Sequence, residues 1–147
     1  GIMYNHESSR RSKNYVTRKI TVAISKIISG KQRFLNLGNI KSKRDWGHAK
    51  DYVLAMWKML QQKKPNDHVI GTGKLHSVEQ FLKIAFNIVG LNYKNYIKID
   101  KKLLRPTDTN KLVADYSNAK KKLKWKPKIK FKDIIKEMVN TDIKRFN

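Results

Sequence analysis

The chain contains no cysteine, which excludes disulfide scaffolds, thiolate zinc sites and cysteine nucleophiles together. It has no long apolar run either. Apolar stretches such as Val22-Ala23-Ile24 and Ile27-Ile28 are broken by Ser or Lys within a few residues. A helical membrane span needs about 20 mostly apolar residues, so none is expected. The opening GIMYNHESSRR does not read as a signal peptide, because its apolar part is short and its charges follow that part. Acidic residues are scarce, 11 Asp+Glu against 34 Lys+Arg, for a net charge of +23. Arginine is scarce too: 7 of the basic residues are Arg and 27 are Lys. Readers of phosphate and base edges lean on the planar guanidinium fork, so this balance weighs against a dedicated nucleic-acid site and for a solvated basic surface. What is present, 39% hydrophobic and 10% aromatic residues in 147, suits a soluble, folded, cytoplasmic protein of one domain, or a piece of a larger one.

Periodicity gives the expected elements. Residues 1–4 read as a strand, 7–14 as a polar loop, and Ile20, Ile24, Ile27 and Ile28 as a helix stopped at Gly30. A strand over 34–37 ends at Gly38, and KSKRDWG reads as a charged loop. The next helix is expected to bury Ala49, Tyr52, Val53, Met56 and Leu60, and to be closed by Pro65 and Asn66. His68 to Ile70 is a strand that stops at Gly71 and Gly73. Ser77-Val78-Glu79-Gln80 carries the pattern of a capping box, with Phe81, Leu82, Ala85, Ile88 and Val89 as the buried stripe behind it. A strand over 96–99, a loop through LLRPTD, a short helix capped by Ser117 and a last helix of some sixteen residues complete an α/β order.

Several motifs resemble catalytic ones without meeting their requirements. Gly71-Thr72-Gly73-Lys74 lacks the first glycine and the magnesium-binding hydroxyl of a phosphate loop, so it reads as a strand-ending turn. His6-Glu7 has Arg10 where a zinc protease needs its second His, and no metal site is expected. Two Tyr-x-x-x-Lys pairs, Tyr15/Lys19 and Tyr116/Lys120, follow no glycine-rich cofactor turn. More informative are three basic constellations placed where a phosphate could meet them. Asn5, His6, Arg10 and Arg11 lie past the first strand, Val16 and Lys19 at the first helix start, and Arg44 and Arg105 in loops between elements. Together they point to a small ligand that carries phosphate.

The stretches NHESSRRSKNYVTRKIT, LNLGNIKSKRDWGHAKDYVLAMWKMLQQ and HVIGTGKLHSVEQF resemble the GDP-mannose 4,6-dehydratases of the extended short-chain dehydrogenase/reductase family. The likeness runs closely from Gly1 to about Gly90, and more loosely through LLRPTDTNKLVAD and LKWKPKIKF to the end. It implies a lyase that uses NADP to oxidise the mannose at C4, eliminate water across C5 and C6, and return hydride to C6. The product, GDP-4-keto-6-deoxy-mannose, is the precursor of GDP-fucose and related deoxy sugars. By position, Asn5, Val16, Lys19, Arg44, Arg105 and Asp108 resemble GDP-mannose contacts, while His6 and Arg11 resemble cofactor contacts. The Arg-rich loop is expected to reach a neighbouring subunit's cofactor in a homo-oligomer, a dimer or tetramer. Ser9, Asp108 and Lys124 stand where the family usually has Pro, Glu and Gly.

The family's glycine-rich cofactor loop and its Thr, Glu, Tyr and Lys catalytic set are expected before Gly1. The resemblance therefore implies residues 1–147 to be the C-terminal, substrate-binding part of such an enzyme with remnants of the Rossmann sheet. It would lack the NADP-binding half, have no dehydratase activity alone, and expose faces built to pack on the missing sheet. The alternatives are another nucleotide-sugar epimerase or reductase of the family, or a basic nucleic-acid-binding module.

Overall fold

The computed structural model describes residues 1–104 and 112–146. Three helices that the apolar spacing foretells form the main core: α1 (Val16–Ile28), α3 (Val78–Ile88) and α5 (Phe131–Phe146). Ile20, Ile24, Phe81, Leu82, Phe86, Ile134, Ile135 and Met138 are all at most 1% exposed in one continuous cluster. The capping box is as read: Gln80 N–H donates to Ser77 Oγ at 3.0 Å, and the Gln80 side chain accepts from Ser77 N–H at 2.9 Å. Gly30 ends the first helix with φ +70°, a conformation that favours glycine.

The strands lie in three small sheets. Strands β1 (Ile2–Met3) and β5 (Val69–Ile70) pair in parallel, as do β3 (Leu35–Leu37) and β7 (Ile97–Ile99). The third sheet sets β2 (Asn5–Glu7) parallel to β4 (Lys43–His48), and β4 antiparallel to β6 (Leu75–Ser77).

This third sheet corrects the sequence reading. Asn5 and His6 follow β1 as expected but themselves form a second strand, and Arg44 sits in a strand where the sequence reads as the charged loop KSKRDWG. Its strands, NHE, KRDWGH and LHS, show no apolar alternation because, apart from Trp46, their buried side chains are polar. Glu7, Asp45, His48 and Ser77 are all buried, each satisfied by partners distant in sequence or by a helix cap.

Helix α2 (Ala49–Leu60) is the second correction. It buries Asp51, Tyr52 and Ala55, whereas Val53, Met56 and Leu60 are exposed. The buried side packs with α4 (Ser117–Leu123) and β5 in a second cluster of Tyr52, Ala55, Ile70, Ala119, Leu123 and Trp125. Trp125 donates its indole N–H to Asp51 O at 2.8 Å, and Asp51 Oδ2 accepts from Lys128 N and Ile129 N. The lysine-rich ribbon 120–132 is thereby fixed with Leu123 and Trp125 inward and its lysines outward. Ser117 is not the cap of α4 as its position suggests. It is the first residue of that helix, and Asp115 accepts its N–H at 2.9 Å.

Candidate functional site

The sheet that sequence periodicity hides is the floor of the candidate site. A cavity of about 1020 Å³ opens between β2 and β4, the start of α1, the segment after β3 and the turn Lys101–Leu103. Asn5, Arg11, Val16, Lys19 and Arg44 all line it, so five residues drawn from three separate sequence constellations meet in one place. That size suits a ligand as large as a sugar nucleotide.

Each side chain is placed by its element. Asn5 pairs with Trp46 and His6 with Gly47 along the parallel ladder, so β2 and β4 present Asn5, Trp46 and Arg44 to the same cavity. Arg44 Nη1 donates to Ser42 Oγ and to the Lys43 carbonyl, both at 2.7 Å, which holds the guanidinium against its own strand. Lys19 Nζ donates to the Asn36 carbonyl at 3.0 Å and joins α1 to the end of β3. Helix α1 begins at the cavity with no side-chain cap at Tyr15. Its first N–H groups are thus left for water or an anion, and the helix dipole favours the anion.

Arg11 turns inward. Its guanidinium lies 3.6 Å from the centroid of the Tyr15 ring, and its Nε sits 3.5 Å from Glu7 Oε2. Glu7, 2% exposed, also accepts from Thr17 Oγ1 at 2.5 Å. Burial pushes this carboxyl above its ordinary value of 4.5, with the Thr17 hydrogen bond and the Arg11 charge pulling partway back. Because the folded pKa is raised, the folded state holds the extra proton between pH 4.5 and that value. Stability therefore falls as pH rises through this window. Glu7→Gln, which has no proton to lose, is expected to flatten that slope in urea unfolding measured from pH 4.5 to 7. A slope equal to that of the wild type would exclude the raised carboxyl.

His6 lies beside the cavity and does not line it. Its Nδ1 bonds the Tyr4 carbonyl at 2.9 Å, and its ring sits 5.1 Å from that of Tyr52. A ring nitrogen facing a carbonyl carries the proton, so Nδ1 is the donor in this bond. Tyr52 is fully buried with a hydroxyl that has no partner among the described residues, and burial pushes its pKa up. Arg10 does not line the cavity either. Arg105 and Asp108 lie outside the described residues.

Sequence reasoning misses Glu7, Thr17, Trp46 and Lys102, all of which line the cavity. Lys102 carries no signal that separates it from the other lysines. It arrives because Gly38 lets the turn pass close: a Cβ on Gly38 would overlap the Leu103 carbonyl. Among the described residues no group of three or more His, Asp or Glu side chains is arranged to hold a metal ion. No helix among them is long and apolar enough to cross a membrane.

The chain is 52% identical over 143 residues to GDP-mannose 4,6 dehydratase 1 of Arabidopsis thaliana, covering 97% of this chain and 40% of the relative. It is 43% identical over 160 residues to the GDP-mannose 4,6 dehydratase of Homo sapiens, covering 97% of this chain and 43% of that one. The chain thus spans less than half the length of the curated relatives it matches.

Among solved structures, RMD from Pseudomonas aeruginosa complexed with NADPH superposes with a TM-score of 0.88 at 17% identity, over 97% of this chain and 47% of that one. A dTDP-glucose 4,6-dehydratase from Bacillus anthracis in complex with NAD gives 0.80 at 17% identity, over 97% and 43%. The fold is accordingly that of part of an extended short-chain dehydrogenase/reductase. A family model described as GDP-mannose 4,6 dehydratase matches residues 1–138, and the chain belongs to that family.

Proposed function

We propose that this chain is the GDP-mannose-binding part of a 4,6-dehydratase, a lyase that converts GDP-mannose to GDP-4-keto-6-deoxy-mannose and feeds GDP-fucose or a related deoxy sugar. The observation that carries the reading is the convergence of Arg44, Lys19 and the uncapped start of α1 on one cavity. A cationic fork, an ammonium and a row of backbone donors are the groups a diphosphate needs. Asn5 and the half-covered Tyr15 ring add the polar and flat surfaces a sugar and a base would use. Arg105 and Asp108 join this set on the family resemblance alone.

NADP is the cofactor this reading requires, and it would supply the acceptor and donor of hydride. The chain's own donor set fits one edge of such a group. His6 has Nε2 left over beside the floor strand, and Arg11 offers a flat cation held on Tyr15. The sequence has no glycine-rich turn to cradle a dinucleotide, so these two residues would complete a site built mainly by another part of the protein. The working enzyme is a cytoplasmic homo-oligomer in this reading, and the 147-residue chain alone binds substrate without turning it over.

Isothermal titration with GDP and with GDP-mannose at two salt concentrations tests the proposal. Saturable binding of both is expected, and Arg44→Ala should weaken it by about 10–100-fold, the range for losing a charge-assisted bond to phosphate. Equal affinity for wild type and Arg44→Ala would exclude this cavity as the nucleotide site. Steep salt dependence with no preference for GDP over inorganic phosphate would favour a general polyanion surface instead.

A further inference from the structure

The lysine-rich ribbon that joins α4 to α5 is held as a comb. Lys124, Lys126, Lys128, Lys130 and Lys132 are exposed, whereas Trp125 is buried and Pro127, Ile129 and Phe131 are half-buried. That alternation is the two-residue repeat of extended backbone, and the ring of Pro127 restricts Lys126 to the same extended region. The ribbon is anchored from behind. Lys124 closes α4 in the left-handed region at φ +50°, and Lys58 Nζ donates to the Leu123 carbonyl at 3.0 Å. Asp51 accepts the Trp125 indole on its carbonyl and the N–H groups of Lys128 and Ile129 on its carboxylate. The five ammonium groups have no hydrogen bond or ion pair among the described residues. Exposed Lys120, Lys121, Lys122 and Lys136 extend the field at both ends, against exposed Asp115 and Asp133. A free tail would spread such charges apart; this backbone keeps them in a row, at a cost in repulsion that a partner of opposite charge would relieve.

We propose that the ribbon is a docking surface for an extended acidic segment of another protein, with carboxylates at alternate positions. The inference stands apart from the nucleotide site. Two residues of extended chain cover about 6.6 Å, so alternate carboxylates of a strand meet alternate lysines of the ribbon in register. Ammonium groups act as point charges and suit single carboxylates, and the ribbon has no Arg to fork onto a phosphate. The rings that would stack nucleic-acid bases face inward. Trp125 is 1% exposed, and Phe131 lies between His76, stacked at 3.9 Å, and Trp46, parallel at 5.9 Å. Charge spacing and buried rings together favour a peptide over single-stranded RNA or DNA.

Fluorescence anisotropy of a labelled twelve-residue peptide that alternates Glu and Thr, titrated with the 147-residue chain, tests the proposal. Saturable binding is expected at low salt and should vanish near 1 M salt, where the screening length is about 3 Å. The reversed triple Lys126→Glu/Lys128→Glu/Lys130→Glu should weaken binding by about tenfold or more, while its GDP titration matches that of the wild type. Lys26→Glu/Lys83→Glu/Lys94→Glu changes the net charge equally, at exposed positions on α1, α3 and the turn after α3. It should weaken binding by about threefold at most. Equal losses in the two triples would mean attraction to overall charge alone, and would overturn the proposal. So would oligouridylate that binds more tightly than the peptide and depends on the ribbon in the same way. If the reversed triple melts below the wild type, the neutral triple Lys126→Gln/Lys128→Gln/Lys130→Gln is scored in its place, with a loss of more than about threefold expected.

Discussion

Asp142→Ala is expected to lower the unfolding free energy by about 3–5 kcal/mol, the range for stripping one partner from a buried ion pair. Asp142 is fully buried, and Arg18, 3% exposed, meets it with Nε and Nη2 at 2.7 Å each. Thr21 Oγ1 adds a third donor at 2.6 Å, so the carboxylate ties α1 to α5 at three points. The remaining guanidinium nitrogen, Nη1, donates to the carbonyls of Ser9 and Arg11. The pair therefore also holds the loop that delivers Arg11 to the cavity, and loss of Asp142 should weaken GDP binding as well as the fold. Urea unfolding of the two single variants and of Arg18→Met/Asp142→Leu separates these effects. The double variant leaves no unpaired buried charge and should recover most of the stability. It should not recover GDP affinity, because Met cannot hold the two carbonyls. A single-variant cost below about 1 kcal/mol would show that water reaches the pair and that the loop is held elsewhere.

Which parts of the molecule the sequence discloses follows from which residues do the burying. Helices α1, α3 and α5 bury aliphatic and aromatic side chains at helical spacing, and Ser77 with Gln80 marks a start by local chemistry alone. All are legible because the signal lies within a few residues of the structure it specifies. Strands β2, β4 and β6 are hidden for the opposite reason. Apart from Trp46, their buried side chains are the polar Glu7, Asp45, His48 and Ser77, and three of these are stabilised by residues far away in the chain. Glu7 needs Thr17, Asp45 needs Thr72 and Ala114, and His48 needs Glu137, 89 positions on.

The outer face of α2 misleads in another way. Apolar spacing shows that Val53, Met56 and Leu60 share a side, but it does not say which side meets this chain. At the site, the sequence singles out Arg11, Lys19 and Arg44 as candidate phosphate contacts, and all three line one cavity together with Asn5 and Val16. That the cavity has a strand floor, and a buried carboxyl in its wall, emerges only when β2 and β4 pair.

Asp45→Asn should be the most damaging change of a single atom type in the molecule. The Asp45 carboxylate is fully buried and accepts from four donors on two separate segments. Oδ1 takes Thr72 N at 2.9 Å and Thr72 Oγ1 at 2.5 Å; Oδ2 takes Gly73 N at 2.9 Å and Ala114 N at 3.2 Å. An amide in this position must turn its NH₂ toward one pair of donors, whichever way it is flipped. Two buried N–H groups, or an N–H and a hydroxyl, then lose their acceptor and face another donor. A cost of about 3–5 kcal/mol is expected, above the roughly 1 kcal/mol of an ordinary lost hydrogen bond.

The crowding is real on the other side too, since a Cβ on Gly71 would overlap that of Ala114 and come within 3.1 Å of Asp45 Oδ2. The turn that resembles a phosphate loop is therefore closed around a carboxylate of its own chain, and its N–H groups have no capacity left for an anion. Hydrogen exchange gives the decisive reading. In Asp45→Asn the amides of Thr72, Gly73 and Ala114 should lose protection together, while Gln80 in its capping box keeps its own. Thr72→Ala removes one of the four bonds and should cost about 1 kcal/mol. A substitution at Asp45 no costlier than the one at Thr72 would mean the carboxylate is dispensable, and that packing of Gly71 on Ala114 holds the segments together.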